Sequence, residues 1–159
     1  MTILGVDPGS RITGYGLIVW EDGRAQALDF GCIRAREKAS LCERLSEIYR
    51  AFREVLERSR PDYAAVEDIF YQENVRSAFQ IGHARGVILL ALAQAGLRVE
   101  EYAPAEVKRS VVGSGSASKG QVQFMVQHLL GLSEPPEPYD ASDALAVALC
   151  LAHRIGAGR

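Results

Sequence analysis

Two hydrophobic periodicities alternate along this chain, and each predicts an element. The first is a short unbroken apolar run, Thr2-Ile3-Leu4-Gly5-Val6, which ends at Asp7 and the turn Pro8-Gly9-Ser10. Such a run is too apolar and β-branched for a half-wet strand, so it predicts a central strand covered on both faces. Gly14 to Trp20 predicts a second strand, Glu21-Asp22-Gly23-Arg24 carries an Asp-Gly hairpin signal, and Ala25 to Arg34 should return antiparallel. Spacing then switches to the helical period. Ser40 and Glu43 form a capping-box pattern before Leu41, Leu45, Ile48, Phe52, Val55 and Leu56. Tyr63-Ala64-Ala65-Val66-Glu67 is a short apolar strand that again finishes on a carboxylate.

Asn74 to Gln94 predicts a long helix that is apolar on most sides, buried either within one chain or partly against a second copy. Arg98 to Tyr102 reads as a strand, and Pro104 opens a helix at its favoured first-turn position. A helix follows from about Ser118 to Leu130, and a last one from Asp140 to His153. The order implies an α/β fold: a five-stranded mixed sheet, three antiparallel strands then parallel strands reached by crossover helices. The first and fourth strands become parallel neighbours on that plan, so Asp7 and Glu67 should stand side by side at the carboxyl edge, where open α/β sheets bind ligands.

Composition narrows the class. The chain has 159 residues, enough for one domain with its own core, and residues 1–159 read as a single unit. Cys32, Cys42 and Cys150 have no metal-ligand spacing, which predicts a reduced, cytoplasmic protein without structural zinc. No basic region precedes the first apolar run, and no stretch approaches the ~18 apolar residues of a membrane span. A net charge of −2 means that any nucleic-acid surface must be a local patch.

The chemistry lies in the acids. Asp140 and Asp143, three apart at the start of a helix, share one face. Acids at that place also stabilise a helix terminus without further function. With Asp7 and Glu67 they would make four converging carboxylates, which repel one another unless cations intervene. Oxygen-only ligands select hard ions, Mg²⁺ or Mn²⁺, and two such ions suit hydrolysis of a phosphodiester.

These residues carry a resemblance that runs nearly end to end. Gly5-Val6-Asp7-Pro8-Gly9-Ser10 with Thr13-Gly14-Tyr15-Gly16, Val66-Glu67 with Phe70, Ser77-Ala78 with Gly82-His83-Ala84-Arg85-Gly86, Val111-Val112-Gly113, and the stretch from Asp140 to Asp143-Ala-Leu-Ala are similar to the motifs of the RuvC family. These are bacterial crossover junction endodeoxyribonucleases that resolve Holliday junctions. The resemblance implies a ribonuclease H-like fold and a homodimer making paired symmetric nicks in four-way junction DNA. It also implies Asp7, Glu67, Asp140 and Asp143 as metal-binding catalytic residues, and the branch-migration proteins RuvA and RuvB as partners. Some members carry His where this chain has Asp140.

Lys108 and Lys119 fall on positions that matter in that family. With Arg109 they form the expected basic rim for DNA, and Lys119 is also expected to stabilise charge in the transition state. Phe70 and Tyr71, just past Glu67, either stack on bases or fill the core. Asp68 is turned away from Glu67 by strand alternation. Asp7-Pro8-Gly9-Ser10 also resembles the first phosphate loop of actin-like and sugar-kinase folds, but those need a second such domain. No residue excludes RNA as the substrate.

Overall fold

The structure, a computed structural model, describes residues 1–68 and 75–158. Five strands form one sheet: β1 (Thr2–Asp7), β2 (Ile12–Glu21), β3 (Arg24–Arg34), β4 (Tyr63–Glu67) and β5 (Val99–Tyr102), in the order β3-β2-β1-β4-β5. β1 pairs antiparallel with β2 and parallel with β4, as the element order predicts. The β2–β3 hairpin turns at Asp22 and Gly23, both with positive φ, the conformation for which Asp-Gly is selected.

Helices cover both faces. α1 (Leu41–Ser59) and α2 (Val75–Gln94) lie on one side; α3 (Pro104–Val112), α4 (Lys119–Leu130) and α5 (Tyr139–Ala157) lie on the other. The capping box at α1 forms, with the Glu43 amide donating to Ser40 Oγ and the Ser40 amide donating to Glu43. The stripe behind it is shorter than expected. Ile48, Phe52, Val55 and Leu56 are buried, whereas Leu41 in the first turn is exposed.

Strand alternation divides the core. Leu4, Val6, Ala64 and Val66 pack under α1 and α2, while Ile3 and Ala65 pack under α5. Burying Leu145 and Leu149 of α5 stabilises the fold by about 1.5–3 kcal/mol each. α5 also lies unusually close to the sheet. A Cβ added to Gly5 would sit 2.1 Å from the Ala144 carbonyl oxygen, and one on Gly14 would sit 1.9 Å from that of Asp140. The two glycines face α5, so its first turn rests directly on the carboxyl end of β1.

Candidate active site

The site is built from three ends: the last residues of β1 and β4, and the first turns of α5. The register that pairs Val6 with Val66 puts Asp7 beside Glu67. Alternation turns both side chains toward α5, because Asp7 shares the face of Gly5. Pro138 is the N-cap of α5, so Asp140 is not the cap that its place in the sequence allowed. It sits in the first turn, and Asp143 follows one turn on, pressed against the strands by the glycine contact.

Asp7, Glu67 and Asp143 line one cavity of about 190 Å³ together with Lys108 and Lys119. Pro104, Val107, Val122 and Ala146 form its apolar walls. Lys119 Nζ lies 3.2 Å from Asp143 Oδ2, an ion pair whose carboxylate end is largely covered. Ser118 caps α4, accepting from the Gln121 amide, and so starts the helix with Lys119 at the cavity edge.

Burial, then the neighbouring Glu67 and Asp143, push the Asp7 carboxyl well above the usual carboxylate range. The Glu67 carboxyl is raised by burial as well, with Asp143 adding to the rise and its contact with Asp7, Lys119 and Lys108 opposing it. Asp143 is raised by burial against the pull of Lys119. Burial would lower the Lys119 ammonium, but Asp143, Asp7 and Asp140 outweigh it and hold the charge in place. Three acids therefore share a low-dielectric pocket with too little positive charge to ionise together freely.

Among the described residues, no group of three or more His, Cys, Asp or Glu side chains is arranged to hold an ion as it stands. The partners explain this: Asp7 is turned to Glu67, and Asp143 to Lys119. The donor set itself fits a hard divalent ion, since every acid offers oxygen and the crowded, raised carboxyls carry negative charge that the two lysines do not fully offset.

Comparison with known proteins decides the lineage. The family model described as crossover junction endodeoxyribonuclease RuvC matches residues 3–151. A crossover junction endodeoxyribonuclease RuvC of Moorella thermoacetica is 53% identical over 150 residues, covering 94% of this chain and 90% of that one. The Thermus thermophilus RuvC structure superposes with a TM-score of 0.90 at 35% identity, over 99% of this chain and 97% of that one. T. thermophilus RuvC in complex with Holliday junction substrate superposes at 0.92 with 36% identity, over 99% and 96%.

The chain belongs to the RuvC family. It has the ribonuclease H-like fold of that family and is a crossover junction endodeoxyribonuclease by membership.

The structure brings together five of the residues singled out from the RuvC motifs: Asp7, Glu67, Asp143, Lys108 and Lys119. Asp140 does not line the cavity. It acts on it through its charge, raising Asp7 and Asp143, and it helps to raise the partly buried thiol of Cys32, which burial itself pushes most, to about 11. Arg109, exposed in the last turn of α3, stands over the loop at Gly115 instead of the cavity. Phe70 and Tyr71 lie outside the described residues. Asp68 faces away, as alternation requires, and pairs with Arg85 of α2.

Sequence reasoning misses the parts that set distance. Gly5 and Gly14 read there as strand and motif residues, not as the contact that seats α5. The signal is present: glycines of one strand parity opposite Ala141, Ala144 and Ala148, spaced along one helix face.

Proposed function

We propose that this chain cuts four-way junction DNA by divalent-metal-dependent hydrolysis of phosphodiesters, with Asp7, Glu67, Asp143 and, at longer range, Asp140 as the acidic set. The observation that carries this reading is the gathering of three half-buried carboxylates and two lysines around one small cavity at the carboxyl edge of the sheet. Asp7, Glu67 and Asp143 would hold two Mg²⁺ or Mn²⁺ ions, with Asp140 completing the set. When bound, such ions supply Lewis-acid stabilisation of the attacking and leaving oxygens.

The remaining work falls to this chain's own groups. Lys108 and Lys119 neutralise the phosphate in the pocket, and Lys119 stabilises the charge that grows in the transition state. Val107, Val122 and Ala146 limit water and strengthen every charge interaction within. Residues 1–159 act as one nuclease domain, and Phe70 and Tyr71 follow Glu67 closely enough in sequence to reach an opened junction.

A homodimer fits the outer face of α2. Val75, Phe79 and Leu90 are each more than half exposed and fall on one side of the helix with Gly86, beside which an added Cβ would meet nothing within 4 Å. Two-fold pairing there presents two sites for symmetric nicks. Docking on RuvA and RuvB and a cytoplasmic location accord with this role. No helix among the described residues is long and apolar enough to cross a membrane.

The test is incubation with Mg²⁺ or Mn²⁺ and, in parallel, a synthetic four-way junction, a linear duplex, an RNA/DNA hybrid and ATP. Paired nicks in the junction alone, blocked by EDTA, are expected. Preferential cutting of the hybrid, or turnover of ATP, would replace the reading.

A further inference from the structure

The carboxylate cavity has a charged neighbour of opposite sign. A hollow of about 590 Å³ lies along β3 and α1, and its charged lining is Arg34, Arg36, Arg50 and Arg58 against Glu47 and Glu54. Four cations over two acids is a local excess in a chain whose net charge is −2.

The four arginines are not equivalent. Arg36 donates to Glu47 through its backbone and its guanidinium. Arg58 donates to Asp29 and, at 2.7 Å, to the Tyr15 hydroxyl, with its guanidinium 5.4 Å from the Tyr15 ring centre. Those two are held by the fold. Arg34 and Arg50 are exposed and form no salt bridge with any described residue. Arg50 feels Glu47 at longer range, but neither guanidinium is tied in a direct ion pair, so both can turn to an anion from outside.

Register places this hollow next to the site. Asp7 pairs with Gly14, and Gly14 with Cys32, so the hollow begins two strands from Asp7, about 10 Å at ordinary strand spacing. Arg34, two residues past Cys32, is on the same sheet face as Cys32 and Asp7. α1, which covers the opposite face of the sheet, leads away from that edge and carries Arg50, so the hollow wraps round the end of β3. Glu54, one turn further along α1, stands between Arg50 and the fold-held Arg58.

We propose that this hollow is a second phosphate-backbone surface, on which Arg34 and Arg50 hold the DNA strand that leaves the carboxylate cavity. The inference rests on the nuclease reading above and extends it to the path of the substrate. Continuity selects the occupant: a strand whose reacting phosphate lies between Asp7 and Lys119 leaves the α5 face over the carboxyl edge of the sheet, and Arg34 at the end of β3 and Arg50 on the α1 face line the hollow on the β3 side of that edge. At a rise of about 3.4 Å per nucleotide, the first of these arginines meets the strand on the order of three nucleotides from the cut. A planar guanidinium fork suits phosphate oxygens at such a place better than an ammonium would, although either supplies the charge.

The test is junction binding in EDTA across a salt series, using the wild-type protein, an Arg34→Ala/Arg50→Ala double variant and an Arg34→Lys/Arg50→Lys double variant. The alanine pair should flatten the log–log salt slope by about two units, near 0.9 for each phosphate left without its cation. The lysine pair should keep the wild-type slope, and all three proteins should cut saturated junction in Mg²⁺ within about twofold of one another. A junction with neutral methylphosphonate linkages two to four nucleotides from the cut should weaken wild-type binding and leave the alanine pair indifferent. An unchanged slope in the alanine pair overturns the proposal, as it would if the hollow served an acidic protein instead. Equal loss in the lysine pair overturns it too, since shape and not charge would then be at stake. Failure of the wild-type protein itself to bind and cut the junction would overturn the nuclease reading instead.

Discussion

The carboxyl edge of this sheet carries two pairs of acids on opposite faces, and they are treated in opposite ways. Asp7 and Glu67 face α5; Asp68, just past β4, and Glu101, on β5, face α2. The second pair has its own cation, because the Arg85 guanidinium bridges Asp68 and Glu101 and is itself only 17% exposed. The first pair is crowded together under burial, with both carboxyls raised and Lys119 drawn toward Asp143 instead. One pair is compensated from within the chain and serves cohesion. The other is left uncompensated in low dielectric, at a cost in stability that only a group able to bind outside cations would justify.

The sharpest way to break this contrast is to remove the acids themselves. Asp7→Asn, Glu67→Gln and Asp143→Asn should each lower the single-turnover rate on saturated junction by about 10³-fold or more, with junction binding kept. Cleavage beside a gel shift reads both. A variant that still cuts near the normal rate in Mg²⁺ does not belong to the site.

Next in size is Lys119→Ala, expected to slow cutting of bound junction by roughly 10- to 100-fold as well as to weaken binding. Single-turnover rates at saturating protein separate the two effects. Lower affinity with an unchanged saturated rate would confine Lys119 to positioning DNA.

Stability should move in opposite directions for the two pairs. Arg85→Ala leaves Asp68 and Glu101 facing each other without their bridge and should cost about 1–3 kcal/mol, the range for a partly buried charged partner. For a chain of this size that lowers the Tm by roughly 2–4 °C per kcal/mol. Asp7→Asn in EDTA should instead raise the Tm at neutral pH. The raised carboxyl is stabilising in its protonated form below the ordinary carboxylate range, and that stability is lost as pH rises through its folded value. The amide cannot ionise, so its advantage should vanish in acid. Adding Mg²⁺ should favour the wild-type protein instead. Melts of both variants across pH, with and without Mg²⁺, decide this; equal destabilisation at neutral pH would erase the distinction between the pairs.

The smallest effect belongs to Asp68→Asn. Its side chain is about half exposed and Glu101 still holds Arg85, so the change should stay within about 1 kcal/mol and leave cutting untouched. A large loss of activity would make Asp68 part of the site after all.

The sequence by itself determined the elements, their order and two of the acids. Unbroken apolar runs ending in Asp7 and Glu67 could only be covered strands with a carboxylate at the rim, and three strands followed by helix–strand units left β1 and β4 as neighbours. The Ser40 cap and the Asp22-Gly23 turn were legible because they depend on residues within a few positions of each other. Periodicity also told which face Asp68 would take. It could not tell depth. How closely α5 lies on β1 and β2 depends on the small residues at the crossing, Gly5 and Gly14 against Ala144 and Asp140, and a pattern of faces carries no such distance. That spacing decides that Asp143 enters the cavity while Asp140 acts from its margin. Charge pairing was hidden for the same reason. Nothing along the chain says that Arg85 serves Asp68 and Glu101, that Lys119 reaches Asp143, or that Arg34 and Arg50 form no salt bridge among the described residues, because each depends on elements far apart in sequence meeting within a few ångströms.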